Sequence, residues 1–106
     1  MRDMEENYKV KISPKAYKQI ARHVNFMKNV SCNAANELRK TFIKDISSLQ
    51  QIPQRNNFWN NNVIPTNKYR KMLSSKNYLI IYQIVEYTVF IETIVDTRQN
   101  LEWLIF

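Results

Sequence analysis

The 106-residue chain predicts a two-layer α+β domain, a helix hairpin packed on an antiparallel sheet that ends in a three-strand meander. Three observations carry this. From Lys68 to Val95 the segments KYRKML, YLIIYQIV and TVFIETIV are rich in Tyr, Ile, Val and Thr, separated by the short breaks SSKN and EY, and free of Pro and Gly, which is the pattern of strands pairing in sequence. In Tyr78 to Val85 both alternations are largely apolar: Tyr78, Ile80, Tyr82 and Ile84 on one, Leu79, Ile81, Gln83 and Val85 on the other. That strand is therefore central, with both faces to be covered. Between Ser13 and Gln50 two helical patterns supply one cover, and no further long helix remains for the other.

The chain opens with Tyr8-Lys9-Val10-Lys11-Ile12, an apolar and basic alternation that predicts a strand near a sheet edge. Ser13 followed by Pro14 is a helix start, because the Ser oxygen accepts from a free amide and Pro at the first helical position loses no hydrogen bond. Tyr17, Ile20, Ala21, Val24 and Met27 make its apolar stripe. Asn29 to Ser31 break that helix, and Ser31 caps a second in which Ala35, Leu38, Phe42, Ile46 and Leu49 face inward until the run Gln50 to Pro53. Gln54 to Asn67 is predicted as an Asn-rich loop with a short extra strand around Val63. Its Phe58 and Trp59 have two readings, folded back on the core or presented to a base or a partner side chain. In the tail, Leu101, Leu104 and Ile105 fit a short helix opened by Asp96 or Thr97.

The length suits one domain over residues 1–106 with a single core. Hydrophobic residues make up 44% and aromatics 12%, enough to fold. Sixteen Lys and Arg against nine Asp and Glu give a formal charge of +7, which suits an acidic partner. A lone cysteine, Cys32, excludes an intramolecular disulfide and a zinc–cysteine cluster, and is expected as a small buried residue of the second helix. One histidine and scattered carboxylates offer no metal-ligand spacing, and no cofactor is expected. There is no run of signal-peptide character and no eighteen-residue apolar stretch, so a soluble, cytoplasmic protein with no membrane partner is expected.

Four stretches, YKVKISPKAYKQI, NAANELRKTFIKDISSLQQIP, YRKMLSSKNYLIIYQI and IVDTRQNLEWL, together cover nearly the whole chain. Their order resembles the RelE/ParE family of toxins from bacterial toxin–antitoxin pairs. The resemblance implies a first strand lying beside the last, and a cytoplasmic, growth-inhibiting toxin of the plasmid-stabilisation kind. It also implies neutralisation by a small antitoxin with an acidic and apolar segment. Two targets are known in the family: one branch cleaves messenger RNA in the ribosome, the other poisons DNA gyrase.

RNA cleavage by a 2′-hydroxyl needs a base, an acid and a cation for the charge growing on the phosphate. The RNA-cleaving branch carries Arg after the tyrosine that matches Tyr78, whereas this chain has Leu79. Its basic position after Leu73 is Ser74, and Met72 fills the inward position next to Arg70. An apolar Leu cannot stabilise a pentavalent phosphate, so a gyrase-directed or altered activity is favoured. Arg70, Lys71, Lys76, Tyr82 and Arg98 remain as candidate substitutes. The ending with Arg98 and Gln99 also looks more like the gyrase branch. A ribosome-dependent endonuclease, or a non-toxic binding module on the same scaffold, are the alternatives. His23 lies at the margin of its helix stripe and reads as structural rather than as an acid–base group. Tyr78 and Tyr82 read as core, while Tyr69 and Tyr87 are divided between core and contact with nucleic acid.

Because the helices cover only one face of the central strand, part of the other is expected to be open and closed by a partner. Tyr82 or Ile84, whichever points away from the helices, would then contact that partner, with Phe58, Trp59 and Trp103 beside it. Phe58, Trp59, Trp103 and Phe106 are also the residues able to fold over that face themselves.

Overall fold

The computed structural model describes residues 7–98. Its elements are β1 (Lys9–Ile12), α1 (Pro14–Met27), α2 (Cys32–Ser48), a 3-10 turn (Pro53–Arg55), β2 (Arg70–Ser74), β3 (Tyr78–Val85) and β4 (Thr88–Asp96). The sheet order is β1-β4-β3-β2. The meander is antiparallel, and β1 lies beside β4 but runs parallel to it, so the sheet is mixed. A parallel neighbour needs a long crossover, which the α1–α2 hairpin and the segments after it provide.

Both helix starts form as the sequence dictates. Ser13 Oγ accepts from the Ala16 amide and Ser31 Oγ from the Ala34 amide, each at 2.9 Å. The chain has no glycine, so Ile52, Asn67, Ser75 and Glu86 take the left-handed conformation at its turns, with φ of 44°, 57°, 55° and 55°. Glu86 does so in the two-residue hairpin turn between β3 and β4, and Ser75 in the turn before β3. Ile52 is β-branched and strained there. The carbonyls around it are gathered by one guanidinium, since Arg55 Nη1 donates to Ser48, Gln51 and Ile52.

The main core joins Ala16, Leu38, Phe42, Ile46 and Leu49 of the helical layer to Tyr78, Ile80, Tyr82, Val89, Ile91 and Ile94 of the sheet. Ile84 packs against the same cluster, so Tyr82 and Ile84 both face the helices, and Tyr82 is fully buried. This corrects the expectation that one of them lies on a partner-binding face. On the opposite face, Trp59, Ile64 and Tyr69 from the Asn-rich loop form a second cluster with Ile81, with Leu79 packed beside it. The loop is therefore the second cover, and the open-face expectation is corrected over that half of the sheet. It is pinned where Phe58 bridges Arg70, where the Trp59 amide donates to Tyr69 O and where the Lys71 amide donates to Asn57 O. Val63 is exposed and forms no strand. The apolar residues still exposed on this face, Leu73 and Val85, pair at opposite ends of β3. At a rise of about 3.3 Å per residue these two stand roughly 20 Å apart and, among the described residues, do not join into one patch.

Beyond Ile91, β4 outruns β1, and its free edge is satisfied by side chains around α1. Ser13 Oγ donates to Glu92 O, Gln19 Oε1 accepts from both the Ile94 amide and Thr93 Oγ1, and His23 Nε2 lies 3.0 Å from Ile94 O. A carbonyl only accepts, so Nε2 carries the proton and His23 is structural in this bond. An unpaired buried amide costs about 1–3 kcal/mol. Gln19→Leu should accordingly lower stability by about that amount in a urea titration and speed exchange of the Ile94 amide. An unchanged midpoint would show that the edge does not depend on this cap.

Candidate functional site

The sequence-predicted cations do not converge. Arg70 is half-buried, donates Nη1 to Gln54 O and Asn56 O at 3.1 and 2.7 Å, and stacks its guanidinium 3.9 Å from the Phe58 ring centroid. Its neighbour Arg55 is engaged with carbonyls of the α2 end and with Ser48 Oγ. Tyr82 donates its hydroxyl to Pro53 O at 2.7 Å and accepts from Asn56 Nδ2. Burial raises the Tyr82 phenol above its usual range, against a smaller lowering by the Asn56 bond and the nearby Arg55 and Arg70. These groups hold the 3-10 turn against the sheet. Ser74, where a cation was sought, is buried and donates to Asp45 Oδ2.

Lys71 and Lys76 are exposed, on β2 and in the turn after it. Phe58 is 37% exposed, whereas Trp59 is buried, which corrects its placement as a partner contact. Tyr69 and Tyr78 are buried and Tyr87 exposed. Cys32 is exposed at the start of α2, contrary to the buried role expected of it, because it lies off the inward stripe that begins at Ala35. Trp103 and Phe106, with the predicted tail helix, lie outside the described residues.

Arg98 sits at the far end of the sheet from Tyr82's hydroxyl network and grips Asp96 with both Nε and Nη2, at 2.9 and 2.6 Å. Asp96 pairs with Tyr78 across β3 and β4. The Arg98 bond holds the Asp96 carboxyl below its usual range, overcoming the opposing effect of burial. Desolvation, then the Asp96 charge, pushes the Tyr78 phenol up. The ring of His23 meets Tyr78 at a tilt of 55° with centroids 4.8 Å apart, and Tyr78 meets Phe42 edge-on at 5.2 Å. Arg22, His23, Phe26, Tyr78 and Asp96 line a pocket of about 220 Å³ there, on the helix side of the sheet. A second cavity of about 340 Å³ lies along α1, lined among the described residues by Lys15, Lys18, Gln19 and Arg22.

Charge is unevenly placed. Residues 7–36 carry Lys9, Lys11, Lys15, Lys18, Arg22 and Lys28 without one Asp or Glu. All six are exposed, so β1 and α1 present a basic surface that sequence reading, attending to the meander, did not single out. An uninterrupted cationic run was the signal available for it.

Comparison of the coordinates with solved structures identifies the architecture. The chromosomal ParDE TA system from P. aeruginosa contains a chain that superposes with a TM-score of 0.69 over 84% of this chain and 95% of its own, at 12% identity. The fold is RelE/ParE-like. At that identity the likeness extends to the fold alone. No family model and no curated protein matches the sequence. The helix hairpin, the meander and β1 beside the last strand are thus as the RelE/ParE resemblance implied. Among the described residues no helix is long and apolar enough to cross a membrane.

Two consequences are measurable. Tyr82→Phe should lower stability by about 1–3 kcal/mol, because it strips the donor from Pro53 O inside the core. It should leave any growth inhibition intact at equal protein level, and loss of inhibition without loss of stability would return Tyr82 to the catalytic candidates. The Asp96 carboxyl is lower in the folded than in the unfolded chain, so its contribution is fully present above the unfolded value near 4 and lost as pH falls through the folded one. Asp96→Asn should thus flatten the acid limb of the stability profile below about pH 4 and leave its shape near neutrality unchanged.

Proposed function

We propose that this protein is the toxin of a toxin–antitoxin pair, neutralised in the cytoplasm by a small antitoxin protein. We further propose that it acts on DNA gyrase or by an altered activity rather than by cutting messenger RNA. The observation that carries the first part is the fold shared with a chain of a ParDE system over nearly all of that chain's length. The basic β1–α1 surface supports an acidic partner. The second part is supported by the side chains themselves. A phosphoryl-transfer site needs several cations and an acid–base pair aimed at one point. Here Arg70 and Arg55 are engaged with backbone carbonyls, the Tyr82 hydroxyl is enclosed, Leu79 offers no charge, and Lys71 and Lys76 stand apart from any paired base.

Of the residues proposed to meet a partner, Phe58 remains at the surface with Arg70 stacked on it, while Lys71 and Arg98, candidates for chemistry, are exposed. Induced expression of the chain alone should arrest growth, and co-expression with a small adjacent open reading frame should restore it and give a co-purifying complex. Purified chain should inhibit gyrase supercoiling and leave ribosome-bound messenger RNA uncut. Codon-specific cuts with gyrase unaffected would reverse the assignment of target. Absence of both growth arrest and a co-purifying partner would leave a non-toxic binding module.

A further inference from the structure

One edge of the sheet carries a row of cations. Val10 and Ile12 of β1 pack on the main core, so by strand alternation Lys9 and Lys11 point to the other face, at the levels of Thr88 and Phe90 on β4. Where β1 ends, α1 takes its place along β4, because Gln19 Oε1 accepts from the Ile94 amide and His23 Nε2 donates to Ile94 O. Lys18 and Arg22 line one cavity with Gln19, and Arg22 also lines the pocket that reaches Asp96. Lys9, Lys11, Lys18 and Arg22 are all exposed, and among the described residues none forms an ion pair. Lys15 on the same helix is already engaged and does not belong to the row. The carboxylates beside it are occupied, Asp96 by Arg98 and Glu92 by Gln83 Nε2. Glu86 is exposed in the hairpin turn at the lower end.

From the level of Thr88 to that of Asp96 the row follows the length of β4, about 26 Å at a rise of about 3.3 Å per residue. A DNA duplex presents one phosphate per strand every 3.4 Å or so of its axis, so about eight phosphates of one strand pass that length. Tyr87 and Phe26, 50% and 64% exposed, stand at the two ends, and among the described residues no large apolar side chain is exposed along the edge between them. The row thus has no ring on which an unpaired base could stack and no apolar contact to hold a peptide, whereas a backbone of evenly spaced charges needs neither. We propose that this edge, from Lys9 to Arg22, binds the phosphate backbone of duplex DNA without reading its sequence. Phosphates neutralised by the four side chains release their condensed counterions, and that release drives the binding. It requires nothing of the toxin assignment.

Fluorescence anisotropy of a labelled duplex about two helical turns long, titrated with the purified chain over a range of salt, tests the row. Four phosphate contacts predict a slope of about −3.6 in log K against log salt, or an affinity loss of about 150-fold between about 50 and 200 mM. Two duplexes of unrelated sequence should bind within about twofold of each other. The double variant Lys11→Gln with Arg22→Gln should reduce the slope to about −1.8 and the loss to about 12-fold. Arg39→Gln with Lys44→Gln removes the same charge from α2, outside the row, and should leave the slope as in the parent. All four side chains are exposed, so both variants should keep the parent circular dichroism and melting point. An equal loss from the α2 variant would assign the binding to diffuse charge and overturn the proposal. So would absence of binding at about 50 mM salt, or a single strand of the same length binding as tightly as the duplex. Displacement of the duplex by polyglutamate of equal charge, with the same dependence on Lys11 and Arg22, would give the row to an acidic peptide and likewise overturn it. These readouts need neither growth arrest nor gyrase, so failure of the toxin reading and failure of the DNA-binding edge are told apart.

Discussion

Strand β3 is hydrogen-bonded along both edges and apolar on both faces, and the rest of the molecule answers that condition. Its helix-side residues Tyr78, Ile80 and Tyr82 need a layer, which the α1–α2 hairpin supplies through Ala16, Leu38, Phe42, Ile46 and Leu49. Its other side needs a second layer that the chain is too short to build from helices. Trp59, Ile64 and Tyr69 serve instead, and an irregular segment can do this because its backbone is tied to the start of β2 by the two hydrogen bonds that bridge Phe58 to Arg70. Large aromatics suit the task, since each covers much area for few residues ordered.

The polar groups inside follow from the same packing. Tyr82 brings a hydroxyl into the core and must find partners, which fixes Pro53 and Asn56 above it. Arg55 and Arg70 then donate to carbonyls of the irregular chain between α2 and β2, among them Gln51 O and Asn56 O. At the opposite end β4 outlasts β1, and α1 lends Gln19 and His23 to its edge. Residues that look like chemistry in one dimension are thereby consumed as structure, while the exposed charge gathers on β1 and α1.

Much of the fold was legible because its signals are local. Ser13-Pro14 and Ser31 cap their helices by oxygens three residues from the amides they serve, and each of the three predicted runs of the meander contains a strand, the first beginning at Arg70 rather than Lys68. Which alternation of β3 faces the helices was not legible. Periodicity separates Tyr82 and Ile84 from Ile81 and Leu79 but does not orient them, and the register shift at Ile81/Tyr82 is invisible in either run alone. Phe58 and Trp59 are adjacent yet part company, one stacked under Arg70 near the surface and the other buried, because neighbouring residues on a bridged segment point to opposite sides. The parallel direction of β1 depends on a crossover of the whole helical layer, which no local pattern encodes. The basic face of β1 and α1 was missed for a different reason, since each of its cations alone reads as a solvated charge.

The central claim is that the Asn-rich loop is the second face of the core and not a loose connection over an open sheet. A double-mutant cycle between Trp59→Ala and Ile81→Ala, read by urea unfolding, tests it most directly. Coupling between them of about 0.5–3 kcal/mol is expected of residues in one packed cluster. Additive losses within about 0.5 kcal/mol, or a Trp59→Ala variant as stable as the parent, would contradict it.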